Sequence, residues 1–536
     1  MHDLTLEEKI GQLLMFGWQG ETAEENLKAS AHAKIIVDEF KAGGIIILGR
    51  NVQTPEQVAE TLNELQGRSK LPLLVAADQE GGLVTRLKDP FTVFPGNMAL
   101  GATRSAEYCR RAARAIGTEL LAVGVNFNFA PCVDVNVNPE NPIIGVRSYG
   151  EDPDLVARLG VAAIEGFQSA GVLACAKHFP GHGDTSTDTH LAMPVIRYGK
   201  ERLEAVELKP FRAAMKANVA SIMTSHIAFA ALDGHLPATL SKNIIQGLLR
   251  DEMGFDGLVV TDCMEMKAIA DNYGTAEAAV MAINAGVDIV LACHTLEVQA
   301  QMRDALLKAV EDGVIAEQRI DESVRRILAA KRQYELESRR FVDPKSLRLA
   351  IGTLEHRNLE LEIAQKAVTL LRNEDNLLPL RLDPGDQLLV IGMHPATETL
   401  ANTLRQYHPN TKHVRVSASP SPEEIKRIEE MMRESKVALL TTCPSEPWTR
   451  GFVKESVQAE FVGKMLRSKT PAVIVTVREP YDLRHFPDSR TCIATYGYPK
   501  VTVQATADLV FGKVRPCGRL PVSVPGCAEF GAGVSF

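Results

Sequence analysis

The sequence lacks paired cysteines and long apolar runs. Its nine cysteines stand singly in 536 residues, and no two of them form a Cys-x-x-Cys pair. Isolated cysteines in odd number are typical of reduced thiols, and they argue against zinc ribbons, dithiol redox centres and a disulfide framework. No window approaches the roughly 20 apolar residues that a membrane-spanning helix requires. We therefore expect a chain with no membrane partner.

An excess of basic residues is lacking as well. Lys and Arg number 59 against 67 Asp and Glu, which gives a net charge of −8 and a pI near 6.0. Because nucleic-acid-binding proteins usually carry a basic patch, we expect no nucleic-acid partner. The start, MHDLTLEEKIGQLLMFGW, has no basic segment followed by an apolar segment and a cleavage site, which favours a cytoplasmic protein. The sequence indicates no particular oligomeric state.

What the sequence does have is an alternation of short apolar runs and helical segments. Between residues 13 and 293 the runs are LLMFG, GGIIIL, LPLLVAAD, VNFNFAP, VLACAKHF, VASIMTSHI, LVVTD and VDIVLAC. Runs that are apolar throughout are typical of parallel strands buried on both faces. Eight of them predict an N-terminal (β/α)8 TIM-like barrel over residues 1–335, with a doubly wound parallel sheet as the alternative.

The rhythm is interrupted after the eighth run. Residues 336–352 are charged and contain a proline, and we interpret them as a linker. Five further apolar runs follow in residues 353–536: QLLVIGM, HVRVSA, VALLTTC, PAVIVTVR and CIATYG. Five strands with helical segments between them predict a C-terminal α/β three-layer sandwich domain.

Polar residues stand at or just after the ends of the predicted barrel strands. They are Asp78, Asp134, Lys177, His178, His226, Asp262 and His294. The carboxyl ends of the strands of a TIM barrel form one rim, and the active site lies there. The sequence therefore predicts a site built from several of these side chains.

The stretch from Lys177 to His190, KHFPGHGDTSTDTH, is the richest in candidate groups. Its three histidines suggest a metal site, but a zinc-binding H-x-x-x-H pair needs a helix, which the proline and glycines disfavour. A phosphate cradle would need a G-x-x-x-x-G-K-S/T pattern, which is absent. We favour a mobile catalytic loop with a glycine hinge. In that loop Asp188 accepts from one nitrogen of His190 and leaves the other to transfer a proton.

Three more side chains are candidates. Asp262 ends a continuous apolar strand, where it fits either the N-cap of the next helix or the nucleophile of a glycoside hydrolase. Arg86 and Arg147 lie in glycine-bearing loops after predicted strands. Either arginine alone fits a surface ion pair, but on successive rim loops the two indicate recognition of an oxygen-rich ligand.

These segments together resemble glycoside hydrolase family 3, and within it the β-N-acetylglucosaminidases. KHFPGHGDTSTDTH is similar to the loop signature of that subgroup, and LVVTDCMEM to the nucleophile segment of the family. DQEGG and GVRSYGEDP are similar to its sugar-binding loops, and the ending FGKVRPCGRLPVSVP to its second domain. Two positions depart from the pattern, since Leu83 stands where Arg is usual and Tyr149 where Phe is common.

The resemblance implies a retaining exo-β-N-acetylglucosaminidase that needs no cofactor or metal. Its partner would be a small carbohydrate, a terminal β-linked GlcNAc of cell-wall fragments or chito-oligosaccharides. Asp262 would be the nucleophile, and His190, oriented by Asp188, the general acid/base. The resemblance implies five substrate-binding residues: Asp78, Arg86, Arg147, Lys177 and His178. The alternatives are a β-N-acetylglucosaminide phosphorylase or other β-glycosidase, a zinc-dependent hydrolase, and a non-catalytic sensor.

Overall fold

The computed structural model describes residues 4–186, 193–443 and 456–536. These residues form a closed parallel barrel followed by a separate six-stranded sheet with helices on both faces. No helix within them is both long enough and apolar enough to cross a membrane.

The barrel has eight strands in sequential order. They are β1 (Leu14–Phe16), β2 (Gly44–Ile47), β3 (Leu74–Ala77), β4 (Phe127–Asn128), β5 (Leu173–Phe179), β6 (Ser221–Thr224), β7 (Leu258–Cys263) and β8 (Ile289–Ala292). β1 pairs in parallel with both β2 and β8, which closes the barrel. Each strand coincides with one of the eight apolar runs. The predicted (β/α)8 barrel is therefore confirmed.

Helices surround the barrel, and polar side chains cap several of them. Thr54 and Asp152 accept a backbone N–H at the start of a helix whose first residue is proline. The helices are Leu6–Gln12, Ala23–Asn26, Ala31–Asp38, Pro55–Arg68, Asn97–Thr103, Ala106–Ala122, Pro153–Ser169, Lys200–Ala205, Leu208–Lys216, Asn243–Glu252 (a π-helix), Lys267–Tyr273, Thr275–Ala285, Leu296–Glu311 and Glu317–Gln333.

The second sheet has one strand more than the sequence predicted. Its strands are β9 (Thr369–Asn373), β10 (Leu388–Gly392), β11 (Thr411–Arg415), β12 (Val437–Thr442), β13 (Ala472–Thr476) and β14 (Thr491–Ala494), in the order β9-β14-β13-β12-β10-β11. β9 is the antiparallel strand. The five-strand prediction missed it because β9 follows the helix Leu354–Ala367 with only Val368 between them.

Helices cover both faces of this sheet, and an apolar cluster fills each interface. They are Leu354–Ala367, Ala396–Arg405, Pro422–Glu434, Val457–Leu466 and Lys500–Val510. The predicted three-layer α/β sandwich is therefore confirmed. The exact boundaries at residues 335 and 353 stay predictions.

The two domains share one apolar cluster. Met98 and Val146 of the barrel domain are buried in it together with Leu520 and Val522 of the second domain. Leu83 also packs against this cluster. An apolar side chain suits that position because its neighbours are apolar.

Candidate active site

The carboxyl ends of the barrel strands bring the predicted side chains together at one rim. Asp78 directly follows β3, Lys177 and His178 lie near the end of β5, and Asp262 lies near the end of β7. These strands are parallel, so their ends meet at the same face of the barrel.

Lys177 is the centre of a buried ion network. Its Nζ lies 2.8 Å from Asp78 Oδ1 and 2.8 Å from Glu80 Oε1, and its side chain is 2% exposed. Burial alone would lower the pKa of Lys177, but the charges of Asp78 and Glu80 outweigh burial and raise it. Lys177 is therefore a fixed cation.

Glu80 joins this lysine to Arg147. The Arg147 guanidinium donates from Nε (3.1 Å) and Nη2 (2.8 Å) to the Glu80 carboxylate, a two-pronged pairing typical of arginine. Burial raises the pKa of Glu80, yet Arg147 and Lys177 together bring it down to about 2. We call Asp78, Glu80, Arg86, Arg147 and Lys177 the Lys177 cluster.

Glu80 is a residue that the sequence analysis missed. It lies within DQEGG, two residues after Asp78. In extended backbone, residues two apart project to the same side, so this spacing is the signal that could have found it. Its side chain is 1% exposed. Glu80 therefore positions the basic side chains Lys177 and Arg147 around it.

Asp78 and Arg86 are the more exposed members of the cluster, at 18% and 26%. Arg86 Nη2 donates to Asp78 Oδ2 at 3.0 Å. Burial raises the pKa of Asp78, but Lys177 and Arg86 hold it well below its usual range. Arg86 Nε is buried and has no acceptor among the described residues. A ligand oxygen would satisfy that donor.

His178 is held by Asp134, to which the sequence analysis gave no role beyond its place at a strand end. His178 Nδ1 lies 2.8 Å from Asp134 Oδ2, and Arg147 Nη2 lies 3.4 Å from His178 Nε2. An imidazole that donates from Nδ1 presents Nε2 as an acceptor. Burial raises the pKa of Asp134, but His178 and its other partners lower it below the usual value.

The first half of the segment after β5, where a glycine hinge is predicted, is packed against its neighbours. The N–H of His182 donates to Asp134 Oδ1 at 2.7 Å, and its Nδ1 lies 2.9 Å from Thr185 Oγ1. A Cβ at Gly183 would lie 1.8 Å from the carbonyl oxygen of Val135, so only glycine fits. Gly183 is therefore needed for close packing.

The predicted catalytic pair, Asp188 and His190, lies outside the described residues. The proposed nucleophile, Asp262, is half-buried, and its Oδ1 accepts the N–H of Cys263 at 2.7 Å. The helix that follows is Lys267–Tyr273, and its N-cap is Met266. The alternative that Asp262 caps this helix is therefore wrong.

The histidines of this segment do not converge as a metal site in the part of the chain that the structure describes. There, no group of three ligand atoms within 4.8 Å of one another contains both His178 and His182. Their ring centroids are 5.8 Å apart at an interplanar angle of 76°. The third histidine of the zinc hypothesis, His190, is outside the described residues.

The sequence matches two domain models of one family. The Glycosyl hydrolase family 3 N terminal domain matches residues 5–330, and the family 3 C-terminal domain matches residues 368–530. The chain belongs to glycoside hydrolase family 3. The resemblance noted in its motifs is thereby confirmed.

Known members of family 3 are similar over almost the whole chain. Beta-hexosaminidase A of Pseudoalteromonas piscicida is 32% identical over 97% of both chains. The beta-N-acetylglucosaminidase/beta-glucosidase of Cellulomonas fimi is 30% identical over 90% of this chain and 88% of its own. The solved structure of a family 3 beta-N-acetylglucosaminidase from Paenibacillus sp. str. FPU-7 is 40% identical with a TM-score of 0.88, covering 97% of this chain and 99% of that one.

Proposed function

We propose that this family 3 enzyme is a retaining exo-β-N-acetylglucosaminidase, a β-N-acetylhexosaminidase that removes terminal, non-reducing β-linked GlcNAc. The natural substrates would be muropeptide or GlcNAc-MurNAc fragments of the cell wall, or chito-oligosaccharides. The observation that carries the proposal is the Lys177 cluster at the rim that also holds Asp262, in a chain 40% identical to a β-N-acetylglucosaminidase.

The proposed reaction is a double displacement. An Asp262 carboxylate oxygen attacks the anomeric carbon while His190 gives a proton to the departing glycosidic oxygen. His190 then takes a proton from a water molecule, whose oxygen attacks the same carbon and releases Asp262. Asp188 would orient the imidazole and stabilise its cationic form. Two inversions leave the released GlcNAc in the β configuration.

The charged groups at the rim would hold the sugar. Asp78 would accept from a sugar hydroxyl, and the Arg86 Nε donor would meet a sugar oxygen. Lys177, Arg147 and His178 would add donors and an acceptor for the remaining hydroxyls and the N-acetyl group. Since their mutual contacts already fix these groups, the sugar would meet a preorganised pocket.

Comparative hydrolysis tests the proposed substrate. We expect the purified chain to cleave chromogenic β-GlcNAc faster than the β-glucose and β-xylose analogues, and to release free GlcNAc when phosphate is added. Faster cleavage of the glucoside would contradict the substrate assignment. Accumulation of GlcNAc-1-phosphate would identify a phosphorylase. Retained activity in EDTA is expected, and loss of activity would favour the zinc-dependent hydrolase.

Two substitutions test the catalytic roles. Asp262→Ala should abolish turnover and prevent labelling by a fluorinated mechanism-based inhibitor, while Asp271→Ala, an exposed control, should retain both. His190→Ala should greatly slow hydrolysis of glycosides with poor leaving groups and leave hydrolysis of activated glycosides nearly unchanged, because only the former need a proton donor. Continued labelling of Asp262→Ala, or equal loss on both substrates in His190→Ala, would contradict the assignments.

A further inference from the structure

Two cysteines that are far apart in the sequence meet at the barrel rim. Cys263 is the last residue of β7, and Cys293 directly follows β8, its neighbour in the barrel. The ligand atoms of Cys263, Cys293 and His294 all lie within 4.8 Å of one another. Cys263 is half-buried, Cys293 is buried and His294 is exposed, so the group is open to solvent at its histidine.

These three side chains offer two sulfurs and one imidazole nitrogen. In tetrahedral zinc sites the metal–sulfur distance is about 2.3 Å, which puts neighbouring ligand atoms about 3.8 Å apart. A group that already lies within 4.8 Å needs only small side-chain movements to reach that geometry. Two thiolates would neutralise a divalent cation, and water would take the fourth position.

Glu265 holds the backbone of two of the three ligands. Glu265 Oε2 accepts the N–H groups of Cys293 (2.6 Å) and His294 (2.7 Å), and its Oε1 accepts the N–H of Thr295 at 2.9 Å. The Glu265 carboxylate thus fixes the backbone of two of the proposed ligands, Cys293 and His294. Such supporting contacts are a regular part of protein metal sites.

The guanidinium of Arg50 contacts His294, one of the three side chains. Its Nη1 lies 3.1 Å from His294 Nδ1. Its Nε and Nη2 also donate to the carbonyl oxygens of Trp18 and Cys293. Because Arg50 keeps two acceptors when the imidazole turns away, His294 can change partner without leaving the arginine unsatisfied.

We propose that Cys263, Cys293 and His294 form a binding site for a thiophilic divalent cation such as Zn²⁺. Thiolates and not thiols bind metal ions, so the cation displaces the thiol protons when it binds. Binding therefore strengthens as the pH rises.

The site is linked to the proposed nucleophile through the backbone. The N–H of Cys263 donates to Asp262 Oδ1 at 2.7 Å. A cation bound at the Cys263 sulfur lies next to this carboxylate and restrains the residue whose N–H donates to it. Occupancy therefore slows turnover. This effect on turnover rests on the proposed function, whereas cation binding does not.

Cation binding is measured on the full chain, with its thiols kept reduced by a non-chelating phosphine. Titration with Co²⁺ should produce sulfur-to-metal charge-transfer absorption, and Zn²⁺ should displace the cobalt and give the zinc affinity. Cys263→Ser and Cys293→Ser should each weaken binding by at least about tenfold, since each removes a ligand. His294→Ala, at an exposed position, should weaken it as well. Cys517→Ser, an exposed cysteine of the second domain, should bind like the unaltered chain.

Unchanged affinity in Cys293→Ser and His294→Ala would overturn the proposal. If a cysteine variant fails to fold, His294→Ala still decides. Zn²⁺ should also slow β-GlcNAc hydrolysis by the unaltered and Cys517→Ser chains, and EDTA should restore it. Cobalt binding in a chain that hydrolyses no β-GlcNAc would support this site while contradicting the proposed function.

Discussion

At the scale of single residues, the Lys177 cluster has a net positive charge. It contains two carboxylates, Asp78 and Glu80, against the three cations Arg86, Arg147 and Lys177. Because the two carboxylates lie between the three cations, the cations can be held close together. The remaining positive charge suits the proposed pocket, in which sugar oxygens would bind beside the ionised carboxylate of the proposed nucleophile.

Replacing Glu80 with glutamine tests this balance. The change keeps the shape of the side chain but removes the charge that pairs Lys177 with Arg147. Breaking a buried ion pair typically costs on the order of 3 kcal/mol, so we expect a lower melting temperature. We also expect kcat/KM for β-GlcNAc to fall by about 10²-fold, because Lys177 and Arg147, the proposed sugar contacts, lose their alignment.

The matched control for this substitution is Glu60→Gln, on the exposed face of the helix Pro55–Arg68. It should change neither quantity. If Glu80→Gln also leaves the melting temperature and kcat/KM unchanged, the positioning role of Glu80 is contradicted.

His182 predicts how stability depends on pH. Burial and the nearby His178 lower the pKa of His182 to about 4 in the folded chain, from an ordinary value near 6.5. Above pH 6.5 both folded and unfolded chains carry the neutral imidazole. As the pH falls from about 6.5 to about 4, the unfolded chain takes up a proton that the folded chain refuses, so folding stability decreases.

Thermal denaturation across this pH range measures the effect. His182→Gln should show a smaller loss of melting temperature between about pH 7 and about pH 5, since the titrating group is gone. His235→Gln, at an exposed histidine, should keep the slope of the unaltered chain. An equal slope in all three chains would argue against a neutral, buried His182.

At the scale of structural elements, the second domain supports the loop that carries Arg147. Asn136 Nδ2 donates to Tyr481 Oη at 2.7 Å, and Asn136 Oδ1 accepts the N–H of Gly145 at 3.1 Å. Arg147 is in the same 3₁₀ turn as Gly145. Tyr481 therefore influences Arg147, a proposed sugar-binding side chain that it does not touch.

Tyr481→Phe should raise KM for β-GlcNAc more than it lowers kcat, because the loop that positions Arg147 loses a hydrogen bond worth about 1 kcal/mol. The control is Tyr407→Phe, which removes a hydroxyl bonded to Asp508 within the second domain. Steady-state kinetics of both variants decide the point. A KM change of the same size in Tyr407→Phe would show a general loss of stability instead.

Prediction from the sequence worked best where one physical signal dominated. Each barrel strand lies in a largely apolar run between helical segments, so the (β/α)8 order could be read directly. β9 was missed because Arg372 and Asn373 end it and the preceding helix runs almost into it. Asp134 was seen only as one polar residue at a strand end, since its bond to His178 depends on the pairing of β4 and β5.

At the scale of the whole molecule, the interface between the domains is apolar. Leu83→Arg would introduce a charged side chain at a half-buried position against this interface. We expect a melting temperature lower by several degrees, because burying an unpaired charge is unfavourable. Leu349→Arg, at a leucine that is 84% exposed, should melt like the unaltered chain. Equal melting temperatures for the two variants would contradict an apolar interface at Leu83.

The bond between Asn136 and Tyr481 also determines how far the protein can be shortened for use. A catalyst trimmed to residues 1–352 would leave Asn136 Nδ2 without its phenol partner and would open Met98 and Val146 to water. A shortened enzyme would need a new hydrogen-bond partner for the 136–147 loop and polar substitutions on the newly exposed apolar surface. Every group that we assign to the chemistry belongs to the first domain. The enzyme nevertheless needs both domains, because the second supports the site and covers the apolar surface of the first.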